Sequence, residues 1–260
     1  MKFNIPSKKN KKLRRIVALI EKDKRLEQML KCANITAVDR LGYSDHGSTH
    51  SKIVANIALK ILRILTSGGV VPSIVKNYEK NGMDMEDAEV VVVMASFIHD
   101  IGMVVHREKH DLYGITVARP VLERLLKSYP PEKLEIMASE ILHAMTFHDT
   151  LVPPLTVEGG VVRIADGLDM AEGRARIPFE AGKKDIHGVS AMAIEDVNIA
   201  KGGANEKLVQ IKISMSNSAG IFQVDELLKD KITGSGLAYY IHVTAEITGP
   251  EKGILGKIEF

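Results

Sequence analysis

The segment 85–101, MEDAEVVVVMASFIHDI, constrains the fold more than any other stretch of the chain. It opens on acids, as a helix N-terminus prefers, turns apolar on every side, and ends on adjacent His99 and Asp100 followed by Ile101 and Gly102. A helix apolar all round is a buried helix, although the four valines alone would also suit a strand. Two ionisable side chains at its end are costly to bury unless they pair or hold a metal. The chain must therefore place further polar groups around that helix end. The apolar run 90–98 is far shorter than the ~20 residues of a membrane span.

The neighbouring segments supply helices to surround it. In 13–32, Ile16, Leu19, Ile20, Leu26 and Leu30 recur at helical spacing. In 48–66, Ile53, Ile57, Ile61 and Ile64 share a face, Ser and Thr open the segment, and Gly68-Gly69 closes it. Segments 111–128, 132–147 and 158–171 complete the set, separated by Pro130-Pro131 and Pro153-Pro154. After Pro178 the pattern changes to alternation, as in 209–216 and 239–247, with one amphipathic helix at about 222–232 between strands. The expectation is an α+β chain. A helical domain, 1–180, precedes a small α+β domain, 181–260, of order β-β-α-β-β with a mostly antiparallel sheet, the break falling near 178–184. That second part carries few chemical residues, so its expected role is to pack on a partner subunit or gate substrate access.

Seven of the nine histidines lie between 46 and 148. With the acids near them, the candidate ligands run His46, His50, His99-Asp100, His106, His110, His143, His148-Asp149 and Asp166. Imidazole mixed with carboxylate suits Mn, Fe, Co, Ni or Zn, with Mg possible, and the lack of thiolate argues against a structural zinc site. Composition excludes other classes. A chain 45% hydrophobic and 26% charged is no disordered tail, and 5% aromatic residues without Trp make a poor platform for nucleic-acid bases. Residues 1–15 hold seven Lys and Arg and no acid, leaving 28 basic against 33 acidic residues in the body. That arm reads as a solvated, frayed N-terminus rather than a nucleic-acid surface. Cys32, the single cysteine, suits a reducing cytoplasm, and no export signal follows the arm.

The order of these pieces carries a resemblance. His50 in HSKIVANIA, His99-Asp100 in FIHDIG and Asp166 in VRIADGLDM together resemble the HD-domain superfamily of metal-dependent phosphohydrolases, over roughly residues 40–175. The resemblance implies a helical core in which His50, His99, Asp100 and Asp166 bind one divalent ion. His110, in HDLYG, and His148 match the histidines by which many members hold a second. His143 is the lesser candidate there, since five residues before His148 it stands ~140° away around a helix. His46 and His106 stay open, and His187 and His242 fall in the other domain.

The implied activity is hydrolysis of a phosphomonoester, nucleotide or phosphodiester by a metal-activated hydroxide. Asp100, Lys109 and Arg163 are expected to serve the reaction, and Arg107, Arg174 and Arg176 to bind substrate phosphate. The expected partner is a phosphate-containing small molecule or nucleotide, with no membrane involved and a homo-oligomer as the assembly. Met103 stands where the cyclic-dinucleotide branch has Lys, and no G-Y-P follows, which disfavours cleavage of cyclic di-GMP. Two other readings use the same residues: a di-iron oxygenase on the same scaffold, and a non-catalytic binding module with a structural metal.

Overall fold

The computed structural model describes residues 1–149, 152–171, 186–253 and 258–260. Two helices, α1 (Lys11–Lys22) and α2 (Lys24–Asn34), stand where the spacing predicts one. Asp23 is the reason. Its extended backbone ends α1, its side chain accepts the Leu26 N–H to cap α2, and Arg124 Nε donates to it at 2.7 Å. The arm ahead of α1 is anchored rather than frayed. Phe3 is buried with its ring 4.5 Å from that of Phe97, and its N–H donates to Glu21. Of the arm's cations, Lys12 binds Asp84 and Asp87 while the others stay exposed.

Helices α3 (Ser48–Ser67), α4 (Ser73–Tyr78), α5 (Met85–Ile98), α6 (His110–Leu125), α7 (Pro131–Thr146) and α8 (Val157–Leu168) follow. The acids read as an N-terminal signal form a capping box on α5, between Asp84 and Asp87. Val90, Val91, Val92 and Val93 are all fully buried, about 1.5–3 kcal/mol of transfer free energy each, which makes α5 the central helix. It packs against α1, α3, α7 and α8. Past His99 the chain tightens into the 3₁₀ turn Ile101–Val104, against which α6 begins. Gly102 permits this approach, because a Cβ there would collide with the His110 carbonyl.

The remaining elements are α9 (Ile186–Met192), β1 (Ile194–Lys201), β2 (Val209–Met215), a π-helical turn (Gln223–Leu228) running into α10 (Lys229–Thr233), β3 (Ile241–Ile247) and β4 (Ile258–Glu259). The sheet order is β1-β2-β3-β4. Its outer pairs are antiparallel and its central pair, β2 with β3, is parallel, so the sheet is mixed. A helical crossover between β2 and β3 is what lets the second return parallel to the first. The chain is thus α+β. The segment 223–233 lies on α8, where a Cβ at Gly160 would strike the Ser235 carbonyl and one at Gly167 would stand 2.8 Å from Lys231 Cδ. Val91 and Ile141 of the helical part share one buried apolar cluster with Ile211 and Val243 of the sheet. No helix among the described residues is long and apolar enough to cross a membrane. The expected break at 178–184 lies outside the described residues.

Candidate metal centre

Five elements deliver side chains to the C-terminal end of α5. His50 comes from the first turn of α3, His99 and Asp100 from the end of α5, and His110 from the first residue of α6. His148 follows α7, and Asp166 lies in the last turn of α8. All six are buried. His50 Nε2 lies 3.1 Å from His99 Nε2, 3.4 Å from Asp100 Oδ2 and 3.2 Å from Asp166 Oδ1. His99 Nε2 is 3.1 Å from Asp100 Oδ2. The other oxygen of Asp100 faces a second group. Its Oδ1 is 3.2 Å from His110 Nε2 and 3.5 Å from His148 Nε2, which are themselves 3.1 Å apart. One carboxylate therefore stands between two imidazole pairs.

The opposite ring nitrogens fix the tautomers. Nδ1–H of His99 donates to the Ser96 carbonyl at 2.7 Å, that of His148 to Met145 at 2.6 Å, and that of His110 to Arg107 at 2.9 Å. His50 Nδ1–H donates to Asp169 Oδ2 at 2.6 Å. With Nδ1 protonated, each neutral ring aims an Nε2 lone pair inward, toward other lone pairs and carboxylate oxygens. Asp100 Oδ2 is buried with no hydrogen-bond donor. A buried cluster of inward-facing acceptors calls for cations, so the residues present fit a metal ion. Three overlapping sets place such atoms within 4.8 Å of one another: His50, His99 and Asp100; His99, His148 and Asp166; and Asp100, His110 and His148.

The electrostatics agree. Burial alone would lower the His99 pKa, but Asp100 and Asp166 outweigh it and hold the ring up to about 10. Burial would raise both carboxyls, yet His99 holds Asp100, and Lys231 together with the histidines holds Asp166, well below the usual carboxylate range. His110 is raised against its burial by Asp100, whereas burial dominates at His148 and lowers it. The site demands positive charge, which a proton or a metal ion can supply.

The other candidates fall around this core. His143 does not join it: its Nε2 accepts the Leu155 N–H at 3.0 Å and its ring rests on Phe147. The angular separation from His148 is the physical reason. His106 is exposed and accepts the Glu108 N–H. His46 is buried with its ring 5.8 Å from that of His50, its Nδ1–H donating to the Ser44 carbonyl. Arg163 turns away from the ligands, its guanidinium donating to the Phe147 and Val152 carbonyls. Arg107 sits at the rim, 3.4 Å from Asp149 and over the Tyr43 ring. Lys109 is exposed and holds the left-handed backbone, φ 59°, from which α6 starts. Arg174 and Arg176 lie outside the described residues.

Two functional residues were missed by sequence reasoning. Asp169, the second acid of the segment VRIADGLDM, anchors His50, and its place three residues after Asp166 was its signal. Lys231, from α10, donates to Asp166 Oδ2 at 2.6 Å and to the His148 carbonyl at 3.1 Å. The C-terminal part, expected to be poor in chemical groups, thus places a cation in the centre.

Comparison with known proteins places the cluster within a matched family span. The HD-domain family model matches residues 47–171, a span that holds all six converging side chains. An uncharacterized protein of Methanocaldococcus jannaschii, MJ1020, is 45% identical over 238 residues, covering 91% of this chain and 90% of its own. No solved structure gives a significant match.

Proposed function

The chain belongs to the HD-domain family, and from that membership we propose that it is a metal-dependent phosphohydrolase acting on a phosphomonoester, nucleotide or phosphodiester. The observation that carries the proposal is Asp100, whose two oxygens face separate imidazole pairs. His50, His99, Asp100 Oδ2 and Asp166 Oδ1 would hold one ion; Asp100 Oδ1, His110 and His148 would hold a second. A bound divalent ion supplies Lewis acidity, lowering the pKa of water and polarising a phosphoryl oxygen. The chain's own residues do the rest. The Nδ1 anchors keep the four rings in the ligating tautomer, and burial of the ligand set excludes bulk water. At the rim, Arg107 offers a guanidinium with its side chain about a third exposed, able to leave Asp149 for a substrate phosphate. The proposed location is the cytoplasm, in keeping with a single cysteine.

Asp100→Asn tests the reading, since it preserves shape and removes the shared charge. Metal content of gently purified protein is expected to fall from two ions per chain to one or none. Turnover of phosphatase, nucleotidase and phosphodiesterase substrates with Mn, Ni, Co, Fe or Mg is expected to drop at least about a hundredfold, in line with loss of a metal-held transition-state contact. Full metal content with full turnover would sink the assignment.

A further inference from the structure

Among the described residues, the helical region 47–171 receives one side chain from the C-terminal part at its ligand cluster, and it is a lysine. Lys231 Nζ donates to Asp166 Oδ2 at 2.6 Å and to the His148 carbonyl at 3.1 Å, and stands 3.7 Å from Asp149 Oδ1. Asp166 and His148 fall with His99 in one of the three overlapping sets, and one ammonium holds the first by its carboxylate and the second by its main-chain carbonyl. It reaches them because α8 carries glycine at 167, where any Cβ would press on the lysine stem, and at 160, where it would strike the backbone of the segment that carries the lysine. The other oxygen of Asp166 points at His50 Nε2, at 3.2 Å. A carboxylate held on its outer oxygen by a fixed donor presents only its inner oxygen to an ion.

We infer that Lys231 is a positioning residue for the metal centre, holding Asp166 as a one-oxygen ligand and fixing the turn that carries His148. The C-terminal part is then a structural component of the centre rather than a lid over it. The inference rests on reading this cluster as a metal site, and a single titration separates the two. Metal-free full-length protein is titrated with Co(II), following its visible absorption and its affinity, for wild type, Lys231→Met and Lys231→Arg. By charge alone, losing an ammonium would tighten the binding of a dication, so weaker binding reports lost orientation.

Lys231→Met is expected to bind Co(II) about 10–100-fold more weakly, as for other residues that orient a ligand, and to show a changed d–d spectrum. Lys231→Arg is expected to recover most of the affinity. A lysine that merely braced the fold would lower the melting temperature and leave the spectrum alone. Should the Met variant prove insoluble, Lys231→Gln is read in the same titration, with the same expectation. Equal or tighter binding with an unchanged spectrum, in a wild-type background that does bind Co(II), overturns the role of Lys231 and leaves the metal reading standing. No Co(II) binding by wild type overturns both.

Discussion

His50 differs from the other three imidazoles in being held by a side chain rather than a backbone carbonyl, and that makes it the one whose anchor can be removed by substitution. Asp169→Ala should free the ring to rotate and to change tautomer. The expected loss is about 10–100-fold in metal affinity, read by titration of the metal-free protein, with His99 and His148 unaffected because their partners are main chain. Lys109 is a residue of the opposite kind, the one non-glycine among the described residues with positive φ. An L-residue there costs roughly 1–2 kcal/mol, and the strain sits immediately before His110 of the buried cluster. Lys109→Gly is expected to raise unfolding stability by about 1 kcal/mol in urea, part of the gain being offset by the freer unfolded chain. A stability loss would show that the side chain holds the turn in some other way.

At the scale of elements, the joint between α1, α2 and α6 depends on Asp23. Burial opposes its ionisation, but the Arg124 hydrogen bond prevails and holds the carboxyl below its ordinary value. A depressed pKa means stability that is present above the unfolded value, near 3.9, and lost as pH falls through the folded one. Melting temperatures measured from pH 5 to pH 3 should therefore fall more steeply for wild type than for Asp23→Asn, which cannot titrate there. This joint was not legible in the sequence, since the apolar spacing of 13–32 runs on across Asp23 without interruption. Helices α3, α5 and α8 were legible within one to three residues because their apolar stretches are long and their stops marked. The face read on α3 was turned, Ile53 being exposed and Val54 and Ala58 buried. His50, His99, Asp100 and Asp166 came from the family resemblance rather than from helix periodicity, and the structure brings these four side chains together at helix ends. The ~140° offset that made His143 the lesser candidate holds in the structure, where its Nε2 accepts the Leu155 N–H instead.

For the whole molecule, what the sequence concealed was the seam between its parts. Lys231 is 65 residues from the aspartate it binds, inside a charged amphipathic helix whose local pattern reads as solvated surface. Contacts of that range leave no local trace. The seam depends on close backbone approach at Gly160, so Gly160→Ala should push the Ser235 segment off α8. The expected cost is about 1–3 kcal/mol of stability in denaturant titration, the range for an overfilled interior. The same variant should shift the Co(II) spectrum in the direction seen for Lys231→Met, because displacing the segment withdraws the lysine. A spectrum left unchanged by the alanine would show that the two contacts are independent. The seam also bears on inheritance. A core shared by both parts and closed over a glycine on one side and a carbonyl on the other makes the fit of the sheet depend on the helical half it meets. A chimera that joins this helical half to a relative's sheet would keep the six converging side chains and still lose the Lys231 contact wherever the two sides of the seam had drifted apart.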